Sequence, residues 1–455
     1  MAVRSTAPRL SYPQALEALQ RRGRFGMRLG LARTSALLAG LGHPERGFRG
    51  ALIAGTNGKG SVLALTTSAL AAAGYRVGQT PKPHLVTYRE RMQIGGAPVD
   101  PETFARIASE VLGLADRVAR RHGEPTEFEL LTAMTYCWFA EACVDLAVVE
   151  VGLGGRLDAT HAWDGGVAVV TNVTLDHMDR LGSTVEAIAK EKAAIVMAGD
   201  RAVTGAWGSA LRVVRRRCRR VGAPLTVVEP ARLAGTSRDG IEVEVGRLGV
   251  TPVGLRGRHQ AANVAIADAT LDALEAEGLA RVPDDARRAG YASVHWPGRL
   301  ELIESEGREV LLDGAHNPAG AAALAAALDE LCPFLGPGKP TLILAIMADK
   351  DVDGVVGALS SAAMLSEARV VCTAPAGARA MPASDLAARW EAVTGREAVA
   401  IEDPAAALSE AMAGATHTGT VIVAGSLYLV GAVRAILVDD PILPPDPLPE
   451  AEPAP

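Results

Sequence analysis

Aromatic side chains make up only 4% of this 455-residue chain, six Phe, six Tyr and five Trp, too few for an aromatic-rich β-sandwich core. Cysteine is equally sparse. Cys137, Cys143, Cys218, Cys332 and Cys372 are odd in number, far apart and free of CxxC or Cys/His spacing, which argues against a disulfide scaffold or a cysteine-ligated zinc site and leaves reduced, mostly buried thiols. Neither sign of charge dominates: 46 Lys and Arg face 52 Asp and Glu for a net charge of -6. A general polycationic surface for nucleic acid is therefore absent, and any anion site must be local. Apolar runs are broken by charge or Gly before about 18 residues, and the segment Met1 to Leu10 is too short in apolar length for a signal peptide. No membrane partner is expected, and a cytoplasmic location is.

What is present is apolar surface to bury, with 49% hydrophobic residues and a mean hydropathy of +0.17, in a length that calls for two or three domains. The 48 glycines and abundant alanine suit Ala-rich helices packed closely on sheets. From Gly50 to about Gly199, short β-branched runs (Ala51 to Ala54, Leu146 to Val151, Val167 to Val170) alternate with Ala/Leu-rich segments, the pattern of parallel strands with crossover helices. Each run ends in Gly, Asn or Asp, so polar residues collect at the carboxyl ends of strands, where open α/β sheets bind ligands. Shorter strands and a basic helix with Arg215, Arg216, Arg217, Arg219 and Arg220 follow; those charges surround a helix, the mark of a solvated face. After a helix from about His259 to Gly278, the Trp-Pro-Gly break within His295 to Arg299 reads as a linker, and a second strand–helix alternation runs from Val310 to Ala424. The expectation is an α/β chain: a P-loop-type ATPase domain with a mainly parallel sheet over 1–296, a smaller Rossmann-like domain over 297–438, and a Pro-rich disordered tail over 439–455.

The sharpest motif is Ala54-Gly55-Thr56-Asn57-Gly58-Lys59-Gly60-Ser61, between an apolar strand and the helical run Val62 to Ala73. Such a loop offers successive backbone N–H groups and a helix N-terminus to a polyphosphate, with Lys59 as a mobile cation for the β/γ oxygens. Gly60 between Lys59 and the Ser61 hydroxyl departs from the strict P-loop. ATP or another nucleoside triphosphate is implied.

GTNGKGS resembles the nucleotide loop of folylpolyglutamate synthases and dihydrofolate synthases, of the Mur ligase superfamily. Further matches follow in the family's order: the segment from Phe25 to Leu31; Pro83-His84-Leu85 with Glu90-Arg91; Val149-Glu150-Val151-Gly152-Leu153-Gly154-Gly155-Arg156-Leu157-Asp158-Ala159-Thr160; Thr171-Asn172-Val173 and Leu175-Asp176-His177; Lys190-Glu191-Lys192-Ala193; Gly257-Arg258-His259-Gln260 with Asn263; Pro297-Gly298-Arg299; Asp313 to Pro318; Asp349-Lys350-Asp351; and Gly425-Ser426-Leu427-Tyr428. The resemblance covers roughly residues 20 to 437. It implies that Thr56, Asn57, Gly58, Lys59, Gly60 and Ser61 hold ATP together with Asn263, Arg299 and Asp313, and that His316 lies close by. It further implies that His177 binds Mg²⁺, that Lys192 is carbamylated and faces a second metal, and that Thr126, Glu127, Phe128, Glu129, Leu157, Asp158 and Ala159 touch the pterin.

The residues carry part of this unaided. Glu150 ends an apolar strand, where a carboxylate is costly to bury unless it binds a cation or accepts hydrogen bonds; beside a triphosphate, Mg²⁺ is the natural partner. His177 is an unusual Mg²⁺ ligand, because oxygen donors are preferred. Carbamylation needs a neutral amine, so Lys192 should be desolvated with a lowered pKa. Thr126 to Glu129 also read as an ordinary helix cap, and Asp313 as a cap or a ligand-facing loop. One departure matters: where many relatives carry a Mg²⁺-binding Ser before Pro-His-Leu, this chain has Thr80-Pro81-Lys82-Pro83-His84. Thr80 or Ser61 supplies the oxygen, water replaces it, or Lys82 itself touches phosphate.

The activity implied is ATP-dependent addition of L-glutamate to a folate, and to dihydropteroate, through an acyl phosphate, with Lys59, Lys192, His177 and His316 as candidate catalytic residues and two Mg²⁺ ions. The Trp-Pro-Gly break would then serve as a hinge. A monomer is expected. The alternatives are an enzyme that only extends folates, a cell-wall Mur-type ligase, for which the roughly 50 residues before the loop are too few for the extra domain, and a non-catalytic nucleotide-binding protein.

Overall fold

The computed structural model describes residues 9–23, 29–375, 377, 380–414 and 418–447. Residues 25–28 of the family-like N-terminal segment, and 448–455 of the expected tail, lie outside the described residues. The chain forms two compact units, one of residues 1–229, 266–287 and 442–455, the other of 230–265 and 288–441. The Trp296-Pro297-Gly298 break lies within the second.

The first unit is built on an eight-stranded sheet. Its strands are β1 (Gly50–Ala54), β2 (Val77–Thr80), β3 (Gln93–Ile94), β4 (Ala97–Pro98), β5 (Leu146–Glu150), β6 (Gly166–Val170), β7 (Arg201–Thr204) and β8 (Leu225–Val227). Their order is β4-β3-β2-β5-β1-β6-β7-β8. From β2 to β8 all pairings are parallel, and only β3 and β4 run antiparallel at one edge. β1, β5 and β6 are buried throughout, which is why they read as unbroken apolar runs. The scarce aromatics converge here: Phe48, Tyr136, Phe139 and Trp163 pack ring against ring, and the indole N–H of Trp163 donates to the Phe48 carbonyl at 3.2 Å.

Helix boundaries follow local chemistry. The helix Pro101–His122 starts at the Asp100 cap with Pro at its first position and ends on Arg120, Arg121 and His122, matching both dipole ends. Thr126 and Glu129 form a capping box for Glu127–Glu141, and Thr184 caps Val185–Ala193. On the basic helix Gly208–Val221, Arg215, Arg216, Arg219 and Arg220 are exposed, while Arg217 donates to the carbonyls of Val196 and Ala194. All five cysteines are free, with Cys137, Cys218 and Cys372 buried.

The second unit holds a three-stranded antiparallel sheet of β9 (Arg232–Thr236), β10 (Ile241–Val245) and β11 (Gly249–Val253). Its larger sheet joins β12 (Glu301–Ser305), β13 (Arg308–Leu312), β14 (Thr341–Leu344), β15 (Arg369–Cys372), β16 (Val399–Ala400) and β17 (Val421–Ala424) in the order β12-β13-β17-β14-β15-β16. Only β12 is antiparallel. The architecture is thus α/β with a mainly parallel first sheet and a mixed second one. Three helices of this unit, Ala383–Thr394, Pro404–Gly414 and Leu427–Leu437, had no counterpart in the sequence reading. The tail expected to be disordered is ordered as far as residue 447: Asp446 accepts hydrogen bonds from the Tyr12 and Thr87 hydroxyls and the Tyr88 N–H, and Ile442 accepts one from Arg89.

Candidate active site

The glycine loop leaves the carboxyl end of β1 and enters the helix Lys59–Ala72. Gly55 has φ 156°, and a Cβ there would lie 1.8 Å from the Thr171 hydroxyl. Gly58 has φ 80° at the helix N-cap, with no side chain capping the first turn. Both positions need glycine. The loop is tied to the segment after β6: Thr56 N–H donates to the Asn172 carbonyl at 2.9 Å, Asn57 N–H to the Asn172 side-chain oxygen at 3.0 Å, and the Thr171 hydroxyl to the Asn57 carbonyl at 2.7 Å. Thr56 Oγ1 exchanges hydrogen bonds with the backbone of Thr174. The motifs GTNGKGS and TNV thus brace one another at adjacent strand ends.

Three lysines surround this loop. Lys59 Nζ donates to the Thr56 carbonyl at 3.1 Å and lies 3.9 Å from Glu150 Oε1. Lys192 donates to the Gly55 carbonyl at 2.7 Å. Lys82 donates its Nζ to the Glu150 carbonyl at 2.7 Å and its N–H to Glu150 Oε2 at 3.0 Å. Glu150 itself is buried at the end of β5. Burial, with help from the Lys59 charge, pulls the Lys192 pKa down to about 7, against the pull of Asp176 and Asp158. Burial likewise lowers Lys82 to about 8, although Asp158 and Glu150 favour its charged form. Ser61 and Thr80 are buried on the first helical turn and at the end of β2. His177 sits at φ 49° before the short helix Met178–Leu181, its N–H held by Asp176 Oδ1 at 2.8 Å.

A cavity beside the lysines is lined by Thr80, Lys82, Arg91, Phe128, Leu131, Thr132, Thr135, Tyr136 and Thr160. The Lys82 ammonium lies 4.6 Å above the Phe128 ring. Arg91 Nε donates to His84 Nδ1 at 2.8 Å; burial and the Arg91 charge keep His84 neutral, so it can accept. Asp158 is consumed locally, taking the Leu153 and Thr160 N–H groups and the Thr160 hydroxyl. Glu129 closes the capping box and is gripped by Arg33 Nε at 2.8 Å and 3.0 Å. Leu157 accepts from the Gly30 N–H, Ala159 is buried, and Glu127 bonds to Tyr88. Local capping occupies Thr126, Glu129 and Asp158, Glu129 being held by Arg33 as well; of that group Phe128 lines the cavity.

Asn263, Arg299, Asp313 and His316 belong to the second unit. Asp313 accepts the N–H groups of Leu300 (3.0 Å) and Ala315 (2.9 Å), bracing the loop after β13. It is not the helix cap: Asn317 caps Pro318–Leu331. Arg299 Nη1 donates to the Gly298 carbonyl at 3.0 Å, and His316 Nδ1 pairs with the Gly314 carbonyl at 2.8 Å. Asn263 donates to the Gln260 side chain at 2.8 Å.

Residues 53–203 match the Mur ligase middle domain and residues 298–427 the Mur ligase glutamate ligase domain. The dihydrofolate synthase/folylpolyglutamate synthase of Bacillus subtilis is 34% identical over 78% of this chain and 84% of its own. That of Mycobacterium tuberculosis is 34% identical over 90% of both. The chain belongs to this family of ATP-dependent glutamate ligases. Among solved structures, the M. tuberculosis folylpolyglutamate synthase complexed with ADP and AMPPCP superposes with a TM-score of 0.83 at 32% identity, over 94% of this chain and 100% of that one. The E. coli FolC complex with DHPP and ADP gives 0.77 at 30% identity, over 93% and 97%. A bifunctional folylpolyglutamate synthase/dihydrofolate synthase with Mn, AMPPNP and L-glutamate bound gives 0.79 at 29% identity, over 96% and 100%.

Within this folate ligase, the sequence reading missed Arg33 and Tyr136 as parts of the site and held Thr160 only within a motif. Arg33 meets Glu129 across 96 residues and Tyr136 donates to the Thr160 carbonyl across 24, and no local pattern marks either pairing. Arg91 was legible only as part of a motif. No helix among the described residues is long and apolar enough to cross a membrane.

Proposed function

We propose that this ligase is bifunctional, adding L-glutamate to dihydropteroate and to reduced folates at the expense of ATP. Bifunctionality is supported by the similarity to the dihydrofolate synthase/folylpolyglutamate synthases described above, and the use of ATP by the convergence of Lys59 and Glu150, 3.9 Å apart, on a glycine loop whose helix N-terminus carries no side-chain cap. Such a loop suits a triphosphate. The acceptor carboxylate oxygen attacks the γ-phosphorus, the bond to the β–γ bridging oxygen breaks, and ADP leaves. The glutamate amine then attacks the acyl carbon, loses a proton and expels phosphate. Lys59 faces the charge that moves onto the bridging oxygen. The family resemblance adds Asn263, Arg299 and Asp313 to the proposed ATP-binding residues, and His316 as a further candidate.

The donor set fits a divalent cation of the Mg²⁺ type. Among the described residues no cluster of three or more His, Cys, Asp or Glu could hold a metal alone, but Mg²⁺ is commonly bound by one or two carboxylates plus substrate phosphates. Glu150 with the Ser61 or Thr80 hydroxyl would hold it, with His177 and a carbamylated Lys192 serving a second ion. When bound, the metal neutralises phosphate charge. Supporting carbamylation is the burial of Lys192, which favours the neutral amine that carbon dioxide requires.

The test is to incubate purified protein with ATP and labelled glutamate, once with dihydropteroate and once with tetrahydrofolate. Labelled product from both is expected. Product from tetrahydrofolate alone would reduce the enzyme to an extender, and no glutamate-dependent phosphate release with either would overturn the reading. A bound divalent ion is checked separately by Mn²⁺ titration in the presence of a non-hydrolysable ATP analogue.

A further inference from the structure

The cavity beside Glu150 holds more donors than the protein satisfies. Lys82 Nζ has three N–H bonds and among the described residues makes one hydrogen bond, to the Glu150 carbonyl. Arg91 uses only Nε, on His84, so its four Nη hydrogens have no acceptor among the described residues. The hydroxyls around them do not supply one: Thr132 and Thr135 turn back to carbonyls of their own helix, and Tyr136 donates to Thr160. The two carboxylates at hand are already engaged, Asp158 by three donors and Glu150 by the Lys82 N–H and the facing Lys59. Two cations with unspent donors, on a wall that Phe128 and Leu131 share with five hydroxyl side chains, make a seat for a carboxylate carried on a partly apolar body.

Resting on the ligase reading above, we propose that Lys82, with Arg91, is the seat for the carboxylate of the acceptor substrate, so that Lys82 does substrate-binding work at a position where a metal-binding serine stands in many relatives. Two features choose the acceptor over the incoming glutamate. The acceptor carboxylate of dihydropteroate is a benzoate, which matches Phe128 and Leu131, while that of a folate lies one glutamyl side chain beyond the aromatic amide. Lys82 also touches Glu150 through both its N–H and its Nζ, and Glu150 faces the phosphate-loop lysine, so a carboxylate on Lys82 is delivered to the side of the site where phosphoryl transfer takes place. Phe128 contributes to both halves of the seat, lying under the ammonium and against the ligand body.

The experiment measures binding, with pteroate and its uncharged amide as the probes. Wild type, Lys82→Met and Arg91→Gln are titrated with each by equilibrium fluorescence, and KM is determined for dihydropteroate, ATP and glutamate. Wild type should prefer the acid to the amide by roughly 10- to 100-fold. Each variant should lose most of that preference while its affinity for the amide stays within about threefold, and Lys82→Met should raise the dihydropteroate KM with ATP and glutamate KM little changed. The unchanged amide affinity serves as the control for folding, and Arg91→Gln reaches the same seat from a separate segment. Equal preference in wild type and both variants would overturn the proposal, as would a rise confined to the ATP KM or to the glutamate KM. Failure of the ligase reading is distinguishable: wild type would then release no glutamate-dependent phosphate, whichever probe it binds.

Discussion

The carboxyl ends of the first large sheet and the buried charges of the second unit differ in how their charges are satisfied. At the carboxyl ends of the first sheet, Lys59, Lys82, Lys192 and Arg91 crowd a site where Glu150 is buried and Asp158 is spent on its own loop. Among the described residues of the second unit, the buried Glu301, Asp313 and Arg434 are satisfied by partners of their own. Arg434 Nε reaches Glu301 at 3.0 Å and 3.1 Å, Glu301 also accepts the Gly298 N–H, and Asp313 takes two backbone donors. Of the charged groups there that the resemblance assigns to ATP, Arg299 is the one with donors to spare. Cations left underused in low dielectric mark where anionic substrates are handled, whereas satisfied pairs mark where the fold is held.

The largest expected effect breaks the first side of this contrast. Lys59→Ala should lower kcat by roughly 10³-fold or more, on the scale of removing a principal group that stabilises transition-state charge, with an unaltered circular dichroism spectrum and unfolding midpoint. Retained turnover at saturating ATP would mean that the loop is not the phosphate site. On the second side, Arg434→Met should leave Glu301 charged and buried, costing about 3–5 kcal/mol of stability by denaturant unfolding.

The same replacement of a buried cation by methionine should have the reverse sign at Lys192. Its folded pKa of about 7 lies below the ordinary 10.5, so the folded state sheds a proton that the unfolded chain keeps between those values. Wild-type stability should therefore rise with pH across that window, and the full penalty of burying the charge should be felt below about pH 7. Lys192→Met should accordingly be more stable than wild type below pH 7, on the order of 1–4 kcal/mol, and the advantage should shrink as pH rises towards 10. Thermal unfolding in carbon-dioxide-free buffer measures this. Activity should fall at the same time, and Lys192→Ala should regain part of it with added short carboxylates if the carbamate reading holds. A variant less stable than wild type at every pH would show Lys192 to be a structural anchor for Gly55.

These contrasts also explain what could be read beforehand. β1, β5 and β6 were legible because strands buried on both faces are near-continuous apolar runs, and the glycine loop because its backbone geometry admits few other residues. Local caps were legible in the same way, through Thr126 with Glu129 three residues on. What stayed hidden was assembled across distance: Arg33 on Glu129, Tyr136 on Thr160, and the departure of residues 230–265 from the first unit although they lie ahead of 266–287, which belong to it. The helices Ala383–Thr394 and Pro404–Gly414 were missed because their Ala-rich faces show little contrast between buried and exposed positions.

The tail offers the smallest effect and the finest test of what makes the first site rigid. Composition alone made 439–455 a disordered extension, yet Asp446 accepts from Tyr12, Thr87 and the Tyr88 N–H, and Ile442 accepts from Arg89. Thr87 caps the turn Tyr88–Arg91, so these bonds hold the segment that aims Arg91 into the cavity. Asp446→Ala removes two acceptor oxygens and the three hydrogen bonds they take in a partly buried spot, which should cost about 1–3 kcal/mol locally. The dihydropteroate KM should rise severalfold with kcat nearly unchanged, and hydrogen exchange should quicken over residues 87–91 while β1 and β5 stay protected. If exchange quickens equally across the whole first unit, Asp446 is a general stability contact. If it quickens only at the turn, Arg91 owes its aim to a segment more than 350 residues away in the chain.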